Sequence, residues 1–232
     1  MKSQALLLVG TLLLVALHPV QAADLTPTGI PVDTPWKHDV FEFASKNVVH
    51  PSWGLAHSER DYQVTREIAQ REAIPVDLDV LFAAAFLHDL GGIGSFARPG
   101  VDHAVRSAEL AEPLLRSWGF PMDKWLQVKD MILGHTYYGP TPALPLSYAF
   151  RDADIIDFLG DIGVARIFAV TEEPGRASQT LKPPIDLLKN FLKEMPSKIH
   201  FASSREIANR RISELRAFLR SIYSASLGGT AL

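Results

Sequence analysis

The stretch VLFAAAFLHDLGG, residues 80–92, is apolar on every face of a helix until it reaches His88 and Asp89. A helix with no polar face is stable only when other elements surround it. Its two polar residues would then lie in a core, where a polar group without a partner costs several kcal/mol. The stretch therefore predicts a buried helix whose final residues bind a partner.

The chain follows a helical period from Trp36 almost to its end. No segment alternates polar and apolar residues over a convincing strand length, and this predicts an all-α fold in a single compact domain over residues 36–226. Residues 23–35, which are rich in proline and threonine, are expected to be an irregular lead-in. The predicted helices cover residues 36–49, 59–72, 77–89, 103–118, 122–136, 147–159, 161–170 and 185–193, and a last long helix that a capping box, SSRE at 203–206, would begin.

The first 22 residues, MKSQALLLVGTLLLVALHPVQA, have the features of a secretory signal peptide. A lysine near the start precedes an apolar run, and Val20 and Ala22 place small residues where a signal peptidase cleaves. The run is short for a membrane span, although a retained signal anchor is the alternative. The chain has no cysteine, so it has neither a lipoprotein anchor nor disulfides. We expect cleavage after Ala22, a periplasmic or secreted protein, and no membrane insertion once the signal is removed.

Four histidines continue the apolar stripes of four different predicted helices, although the first stands just before its helix: His57, His88, His103 and His135. One histidine on an apolar face is more often a core residue that a single hydrogen bond satisfies. Four of them, together with Asp89 and the aspartates of RDADIIDFLG, need a common partner, and a metal ion is the simplest one. Nitrogen and oxygen donors without cysteine favour a divalent Mn, Fe, Co, Ni or Zn ion. An open coordination position would then supply a metal-activated water.

These motifs, in this order, resemble the H…HD…D constellation of the HD-domain superfamily of metal-dependent phosphohydrolases. The matching segments are HSERDYQVTREIA, LFAAAFLHDLG, DHAVRSAELAEPLL and RDADIIDFLGDIGVARI, and SSREIANRRISELRAFL follows them. They extend over residues 50–220 and are similar to small bacterial HD hydrolases described as nucleotide pyrophosphatase-like. The resemblance implies an HD-type helical bundle that holds one or two divalent metal ions per chain.

The resemblance also assigns metal ligands. Four residues would bind the first ion: His57, His88, Asp89 and Asp154. Asp152 is the alternative to Asp154, and Asp157 would pack or hydrogen-bond behind the ligands. His103 and His135 would complete a second site that Asp89 bridges, or would orient the substrate beside a single ion.

Further residues are candidates for catalysis and substrate binding. The candidate catalytic residues are Asp89, Arg60 and Arg166. Arg151 can also reach a substrate, and Tyr137 and Tyr138 of the loop YYGPTPALP would form a substrate-facing wall, or only a connection. A solvated position or a salt bridge at the surface is favoured for Arg98 and Arg106, and it is an equal alternative for Arg60 and Arg166. Asp61 and Asp130 are conceivable proton shuttles, but the sequence favours them as surface acids.

The leading functional hypothesis is hydrolysis of a phosphoester or phosphoanhydride in a nucleotide-like or other small phosphorylated compound. A net charge of −3 argues against a nucleic-acid polymer as partner. Gly92 stands where many HD phosphodiesterases have a lysine, and the special motifs of alarmone hydrolases and cyclic-di-GMP phosphodiesterases are missing. The alternatives are a di-iron HD-type oxygenase acting on a small polar substrate, a hydratase or lyase on the same fold, and a metal-dependent binding module without turnover.

Overall fold

The computed structural model of the protein describes residues 24–170 and 178–232. The predicted signal peptide, residues 1–22, lies outside the described residues. Strands in this part of the chain are limited to an antiparallel pair, Asp24–Leu25 with Pro31–Val32. The all-α prediction is confirmed. The helices of the described residues are α1 (Pro35–Asn47), α2 (Leu55–Arg71), α3 (Leu78–Leu87), α4 (His103–Ser117), α5 (Trp125–Gly134), α6 (Pro145–Asp157), α7 (Gly160–Val170), α8 (Lys182–Glu194) and α9 (Ala202–Ala225).

Helix α3 is buried along almost its whole length, as its composition predicts. Every residue from Val80 to Leu87 is buried. The Asp77 side chain begins the helix by accepting hydrogen bonds from the backbone N–H groups of Asp79 and Val80, at 3.0 and 3.3 Å. Helices α1, α2, α4 and α5 pack around it. Helix α3 therefore ends inside the domain, and the next residue, His88, is buried there.

Two clusters of buried hydrophobic side chains form the interior. The first joins α1, α3, α4 and α5, and the second joins α6, α7, α8 and α9. Helices α2 and α6 pack against each other and contribute to both clusters. Tyr62 and Phe150 belong to the first cluster, whereas Ile68 and Ile155 belong to the second. Polar residues on these two helices can therefore lie where the two clusters meet.

Helix α9 begins at Ala202, and other helices cap it. No side chain makes a capping hydrogen bond from its own N-cap position. The N–H of Ser203 donates to Glu72 at 2.8 Å, and the N–H groups of His200 and Phe201 donate to Asp152 of α6 at 2.8 and 2.9 Å. The predicted capping box is therefore wrong, because carboxylates from distant parts of the chain accept the hydrogen bonds of the N–H groups at this end.

The segment before α1 is more ordered than an irregular lead-in. Asp24 pairs with Val32, and Leu25 pairs with Pro31. Ile30 and Val32 are buried in the first hydrophobic cluster, and the N–H of Thr28 donates to Glu59 of α2 at 2.9 Å. Burial of two apolar side chains explains why this short segment holds a defined conformation.

No helix within the described ranges combines the length and the apolar character that crossing a membrane requires.

Candidate metal centre

Residues from five helices or their ends converge between the two hydrophobic clusters. Helix α2 contributes His57, and α6 contributes Asp154. His88 and Asp89 follow the last turn of α3, where the chain enters a 3-10 turn over Leu90–Gly92. His103 is the first residue of α4, and His135 is the residue that ends α5. The sequence-predicted ligands are thus brought together from separate parts of the chain.

One oxygen of Asp89 faces a first group of donors. Its Oδ2 atom lies 3.4 Å from His57 Nε2 and 3.3 Å from His88 Nε2, and these two nitrogens are 3.2 Å apart. Asp154 Oδ1 is 3.4 Å from His57 Nε2. Donor atoms that bind one ion at about 2.1 Å lie roughly 3.0–3.4 Å from their neighbours. The spacing of this group suits a metal ion.

The other oxygen of Asp89 faces a second group. Its Oδ1 atom is 3.3 Å from His103 Nε2 and 3.4 Å from His135 Nε2, and the two nitrogens are 3.1 Å apart. Burial opposes ionisation of Asp89, but His88 and the other histidines outweigh it and hold the pKa of this carboxyl well below its usual range. An ionised carboxylate that presents one oxygen to each group is suited to bridge two ions.

Hydrogen bonds turn the same ring nitrogen of each buried histidine toward the centre. His88 Nδ1 is 3.0 Å from the carbonyl oxygen of Ala85, and His135 Nδ1 is 2.6 Å from that of Ile132. A carbonyl can only accept, so each Nδ1 carries the proton and each Nε2 keeps a lone pair. This is the tautomer that binds a metal through Nε2.

His57 is oriented by a charged group instead of a carbonyl. Its Nδ1 atom donates to Asp157 Oδ2 at 2.8 Å, and Arg60 binds both oxygens of Asp157 through Nε and Nη2, each at 2.7 Å. Arg166 Nη1 also lies 2.9 Å from Asp157. Burial opposes ionisation of Asp157, but His57 and Arg60 hold its pKa far below the usual range. Arg60, a predicted catalytic residue, is therefore engaged by Asp157 behind His57.

Arg166 lies closer to the metal-binding donor atoms than Arg60 does. Its side chain is 2% exposed, its Nε donates to the carbonyl oxygen of Ser52 at 2.6 Å, and its Nη2 is 3.2 Å from His57 Nε2. The guanidinium also stacks 4.4 Å from the centre of the Phe158 ring. The structure thus places Arg166 at the edge of the first group.

His103 is held by a short polar chain. Tyr138 donates to Asp102 Oδ2 at 3.3 Å, and its hydroxyl oxygen lies 3.2 Å from His103 Nδ1, from which it can accept. Asp102 is also the N-cap of α4, where it accepts from the N–H of Ala104 at 2.9 Å. The loop that carries Tyr138 therefore orients a predicted ligand.

Gly91 allows α4 to approach the end of α3. A Cβ atom on this residue would lie 2.5 Å from the carbonyl oxygen of His103 and 2.5 Å from the nitrogen of Ser107. The Gly91 N–H donates to Ser107 Oγ at 2.8 Å. Glycine is required here because only its backbone fits, and the contact brings His103 next to Asp89.

Asp61 is the site residue that sequence reasoning missed. It is fully buried on α2, and its Oδ2 atom is 3.2 Å from His57 Nε2 and 3.7 Å from His88 Nε2. Neither carboxylate oxygen accepts a hydrogen bond from a described residue. Burial raises the pKa of Asp61 to about 7. The surface position favoured by the sequence is wrong for Asp61, and these orphaned oxygens among histidine lone pairs fit a bound cation.

Asp130, the other candidate proton shuttle, hydrogen-bonds the backbone of a loop instead of facing the donors. It accepts hydrogen bonds from the N–H groups of Ala143 and Leu144, at 2.9 and 3.2 Å, and so fastens the loop before α6. Asp152, the alternative ligand, uses both oxygens to accept the backbone N–H groups at the start of α9. Of the three aspartates in α6, Asp154 is the one that faces the donor groups directly.

The donors form one end of a cavity of about 320 Å³. Four of them line it: Asp89, His103, His135 and Asp154. The remaining wall is mostly aromatic or aliphatic: Trp53, Tyr137, Tyr138, Phe158, Ile167, Val170, Leu187 and Phe191. No lysine or arginine is among the lining residues that the structure describes.

The other predicted arginines lie away from this cavity. Arg151 donates to the carbonyl oxygen of Tyr137 at 2.9 Å, and so supports the loop that forms part of the wall. Arg98 and Arg106 both pair with Glu109, at 2.8 and 3.1 Å, in the surface salt bridges that the sequence favours.

Comparison with known proteins identifies one family. The HD domain family model matches residues 54–169, a segment that contains every predicted metal ligand. Among curated proteins, no sequence matches the chain.

Solved structures share the fold. A predicted HD superfamily hydrolase from an uncultured Thermotogales bacterium is 25% identical, with a TM-score of 0.58, over 82% of this chain and 93% of its own. A protein from Lactobacillus plantarum is 18% identical, with a TM-score of 0.62, over 87% and 98% of the two chains. Bacillus subtilis YpgQ, solved in complex with ADP, is 17% identical, with a TM-score of 0.61, over 82% and 97%.

Proposed function

Because this chain belongs to the HD domain family and is a metal-dependent hydrolase, we propose that it hydrolyses a phosphoester or phosphoanhydride bond in a small phosphorylated compound. The observation that carries the proposal is the position of Asp89. Its two oxygens face two separate pairs of histidine Nε2 atoms at 3.3–3.4 Å, at the end of a cavity. Two adjacent divalent ions suit phosphoryl chemistry, since they act on the attacking and leaving oxygens together.

The ligands that we propose are His57, His88, Asp89, Asp154, His103 and His135. A divalent ion bound by these residues would supply a Lewis acid for the phosphoryl oxygen and a water of lowered pKa. The chain's own residues orient these groups, because each imidazole has its Nδ1 engaged by a carbonyl, a carboxylate or a hydroxyl. Preorganised donors avoid the cost of rearrangement during the reaction.

The proposed roles of the arginines follow from their contacts. Arg166 does not line the cavity, but its Nη2 atom lies 3.2 Å from His57 Nε2, so it is the candidate for stabilising charge on the phosphate from behind the first group of donors. Arg60 acts as a positioning residue, since it binds Asp157, which in turn holds His57. Arg151 positions the loop that presents Tyr137 and Tyr138 as the substrate-facing wall.

We propose a scavenged nucleotide or another small phosphorylated compound as substrate. A signal peptide over residues 1–22 would place the enzyme in the periplasm or outside the cell, where such compounds rather than intracellular signalling nucleotides are available. ADP is a suitable first nucleotide to test, because YpgQ was solved with it. Export is tested by fractionating cells and sequencing the N-terminus of the mature protein, which should begin at Ala23.

A second candidate is an HD-type oxygenase, or a hydratase, acting on an uncharged polar molecule. The cavity favours it in one respect, because the described lining offers no lysine or arginine to a phosphate. The metal ions themselves would then be the main source of positive charge for an anionic substrate. Oxygen consumption with iron bound would support the oxygenase, and phosphate release would support the hydrolase.

The test begins with the chain purified without a chelator or an affinity-tag metal. Bound metal is measured by plasma mass spectrometry, and phosphate release is then measured with ADP, sugar phosphates and aryl phosphoesters. We expect one or two equivalents of a divalent ion and phosphate release that a chelator abolishes. Asp186→Asn, which alters an exposed aspartate paired with Lys182, is the control for any loss in Asp89→Asn. A metal-loaded chain that consumes oxygen and releases no phosphate from any ester would contradict the proposal.

A further inference from the structure

We propose that Asp61 is a metal ligand and that it makes the two metal positions unequal, an inference that rests on the metal centre of the proposed function. The inner position is defined by His57, Asp61, His88, Asp154 and Asp89 Oδ2. The outer position is defined by His103, His135 and Asp89 Oδ1. The inner position would hold its ion permanently, and the outer position would exchange its ion and meet the substrate.

The state of the Asp61 carboxylate is the main evidence. It is 0% exposed, yet neither oxygen accepts a hydrogen bond from the described residues. It points at the lone pairs of His57 and His88, from which its Oδ2 atom is 3.2 and 3.7 Å away. A buried carboxylate without a partner is costly, and a cation between these atoms would compensate for that cost.

Other buried aspartates of the same chain show how a structural carboxylate is satisfied. Asp152 is also 0% exposed, and it accepts two backbone N–H groups at 2.8 and 2.9 Å. Asp157 accepts hydrogen bonds from Arg60 and His57. Asp61 has no such donor and instead shares a space with Asp154, within 4.8 Å of the same histidine nitrogens. Its position is therefore explained by a ligand role better than by packing.

The two positions differ in charge. The inner ion would have the carboxylates of Asp61 and Asp154 to itself and share that of Asp89. The outer ion would have two neutral imidazoles and the shared oxygen alone. Coulomb attraction at these distances favours the site with more carboxylates, so the inner ion should be held more tightly.

The two positions also differ in access. His57, Asp61 and His88 are at most 1% exposed and do not line the cavity. His103 and His135 line it, and the His103 side chain is 27% exposed. Few ligands and an open side are features of a catalytic position, whereas a closed ligand set is typical of a permanently bound ion.

The number of inner donors narrows the kind of ion. Two imidazoles and three carboxylates exceed the four ligands of a structural zinc site. Oxygen-rich sets of this size suit ions that accept five or six ligands, such as Mn²⁺. Mn²⁺ is therefore the probe of choice.

The experiment compares the wild type with Asp61→Asn. Both proteins are stripped of metal, loaded with Mn²⁺ and challenged with a chelator, and the retained Mn²⁺ is counted over time. In the wild type we expect one ion to leave quickly and the other at least about tenfold more slowly. In Asp61→Asn the slow ion should leave at a rate close to that of the fast one. Equal retention by the two proteins would overturn the assignment.

Melting temperatures separate a ligand from a packing residue. Without metal, Asp61→Asn should melt no lower than the wild type, because the carboxylate accepts no hydrogen bond that the amide would lose. With Mn²⁺, it should gain less than the wild type does. A lower melting temperature without metal, combined with an unchanged gain on Mn²⁺ binding, would show a structural role and overturn the proposal. Asp61→Ala repeats both measurements if the amide prevents folding.

Two control variants test the assignment of the positions. Asp152→Asn should lower the melting temperature and keep the slow Mn²⁺ ion, since Asp152 caps α9. His103→Ala should lose the fast ion and keep the slow one. Loss of the slow ion in His103→Ala would contradict the inner and outer assignment. All readouts are taken without substrate, so two unequal Mn²⁺ positions in a chain that hydrolyses no phosphoester would refute the proposed function and leave this inference standing.

Discussion

The two ends of the cavity are built from opposite kinds of side chain. The inner end of the cavity, which contains both the inner and the outer metal position, consists of histidines and aspartates. The opposite wall consists largely of aromatic and aliphatic residues such as Trp53, Phe158 and Phe191. At the inner end each histidine is oriented by a hydrogen bond that its Nδ1 atom makes. On the wall, shape is set by packing: Phe158 lies 5.0 Å from Phe191, measured between ring centres. Charge is thus confined to one end, and the other end can select only by shape and apolar contact.

This contrast teaches how the reaction and its specificity are divided. The inner end belongs to the helices that the two hydrophobic clusters hold rigidly. The wall comes from α7, α8 and the loop around Tyr138, which are easier to vary. Changes at the inner end should therefore abolish the reaction, whereas changes on the wall should alter which substrates react.

The largest effect is expected from Asp89→Asn. This substitution removes the charge that both groups of histidines share, so metal content and phosphate release should fall together, the latter by more than about 100-fold. Plasma mass spectrometry and initial rates with ADP would measure the two losses. Asp186→Asn should change neither quantity. Full activity with reduced metal content would show that the inner end is not the reactive one.

A smaller effect is expected from Arg60→Gln. Arg60 holds Asp157, which orients His57, so metal affinity should fall about tenfold, as is usual when a residue behind a ligand is changed. Titration with Mn²⁺ would measure the affinity. Arg98→Gln, at the surface pair with Glu109, is the matched control. An unchanged affinity with a raised KM would instead mean that Arg60 contacts the substrate.

Tyr138→Phe affects the boundary between the two ends. It removes the hydroxyl between His103 and Asp102, and the loss of such a neutral hydrogen bond corresponds to about a threefold to tenfold weaker outer ion. Mn²⁺ titration would detect this change in the weaker of the two binding steps. A change in the tighter step would contradict the placement of His103 at the outer position.

The smallest effect is expected from Leu187→Lys. Leu187 is 37% exposed on the cavity wall, so a lysine there can keep its charge in water. It should lower the KM for ADP by about threefold at low salt, and the gain should vanish at high salt. Leu187→Gln is the neutral control. A similar gain in the glutamine variant, or one that persists in salt, would mean that charge on the wall is not what the substrate lacks.

Several features of the site follow from the sequence alone. The buried helix before His88, the convergence of four histidines and the all-α fold all follow from periodicity, because apolar stripes have to face one interior. Choosing among the aspartates of α6 does not follow. Asp152 faces the backbone of His200 and Phe201, and that contact depends on the docking of a helix about fifty positions later in the chain.

Asp61 shows a different failure. The predicted helix begins at residue 59, whereas α2 begins at Leu55 and includes His57. Once His57 is helical, Asp61 lies four residues later on the same face, directed at the same interior. The misplaced start separates Asp61 from His57, but it is not the whole reason. Asp61 lies three residues before Val64 and seven before Ile68, so the apolar stripe of the predicted helix already points it inward. The contact of Arg60 has a different cause: its partner Asp157 is 97 positions away, so the local sequence does not show the pair.

The chain contains no cysteine, and the centre gives it another way to join distant segments. The proposed ligands His57 and Asp154 lie about 100 residues apart in the sequence, and the helices that carry them contribute to both hydrophobic clusters. An ion bound between α2 and α6 would act as a reversible crosslink that closes this long loop. Its contribution would follow the free ion concentration, at about 4 kcal/mol when that is a thousand times the Kd. Such a protein would owe part of its resistance to unfolding to the mineral content of its surroundings.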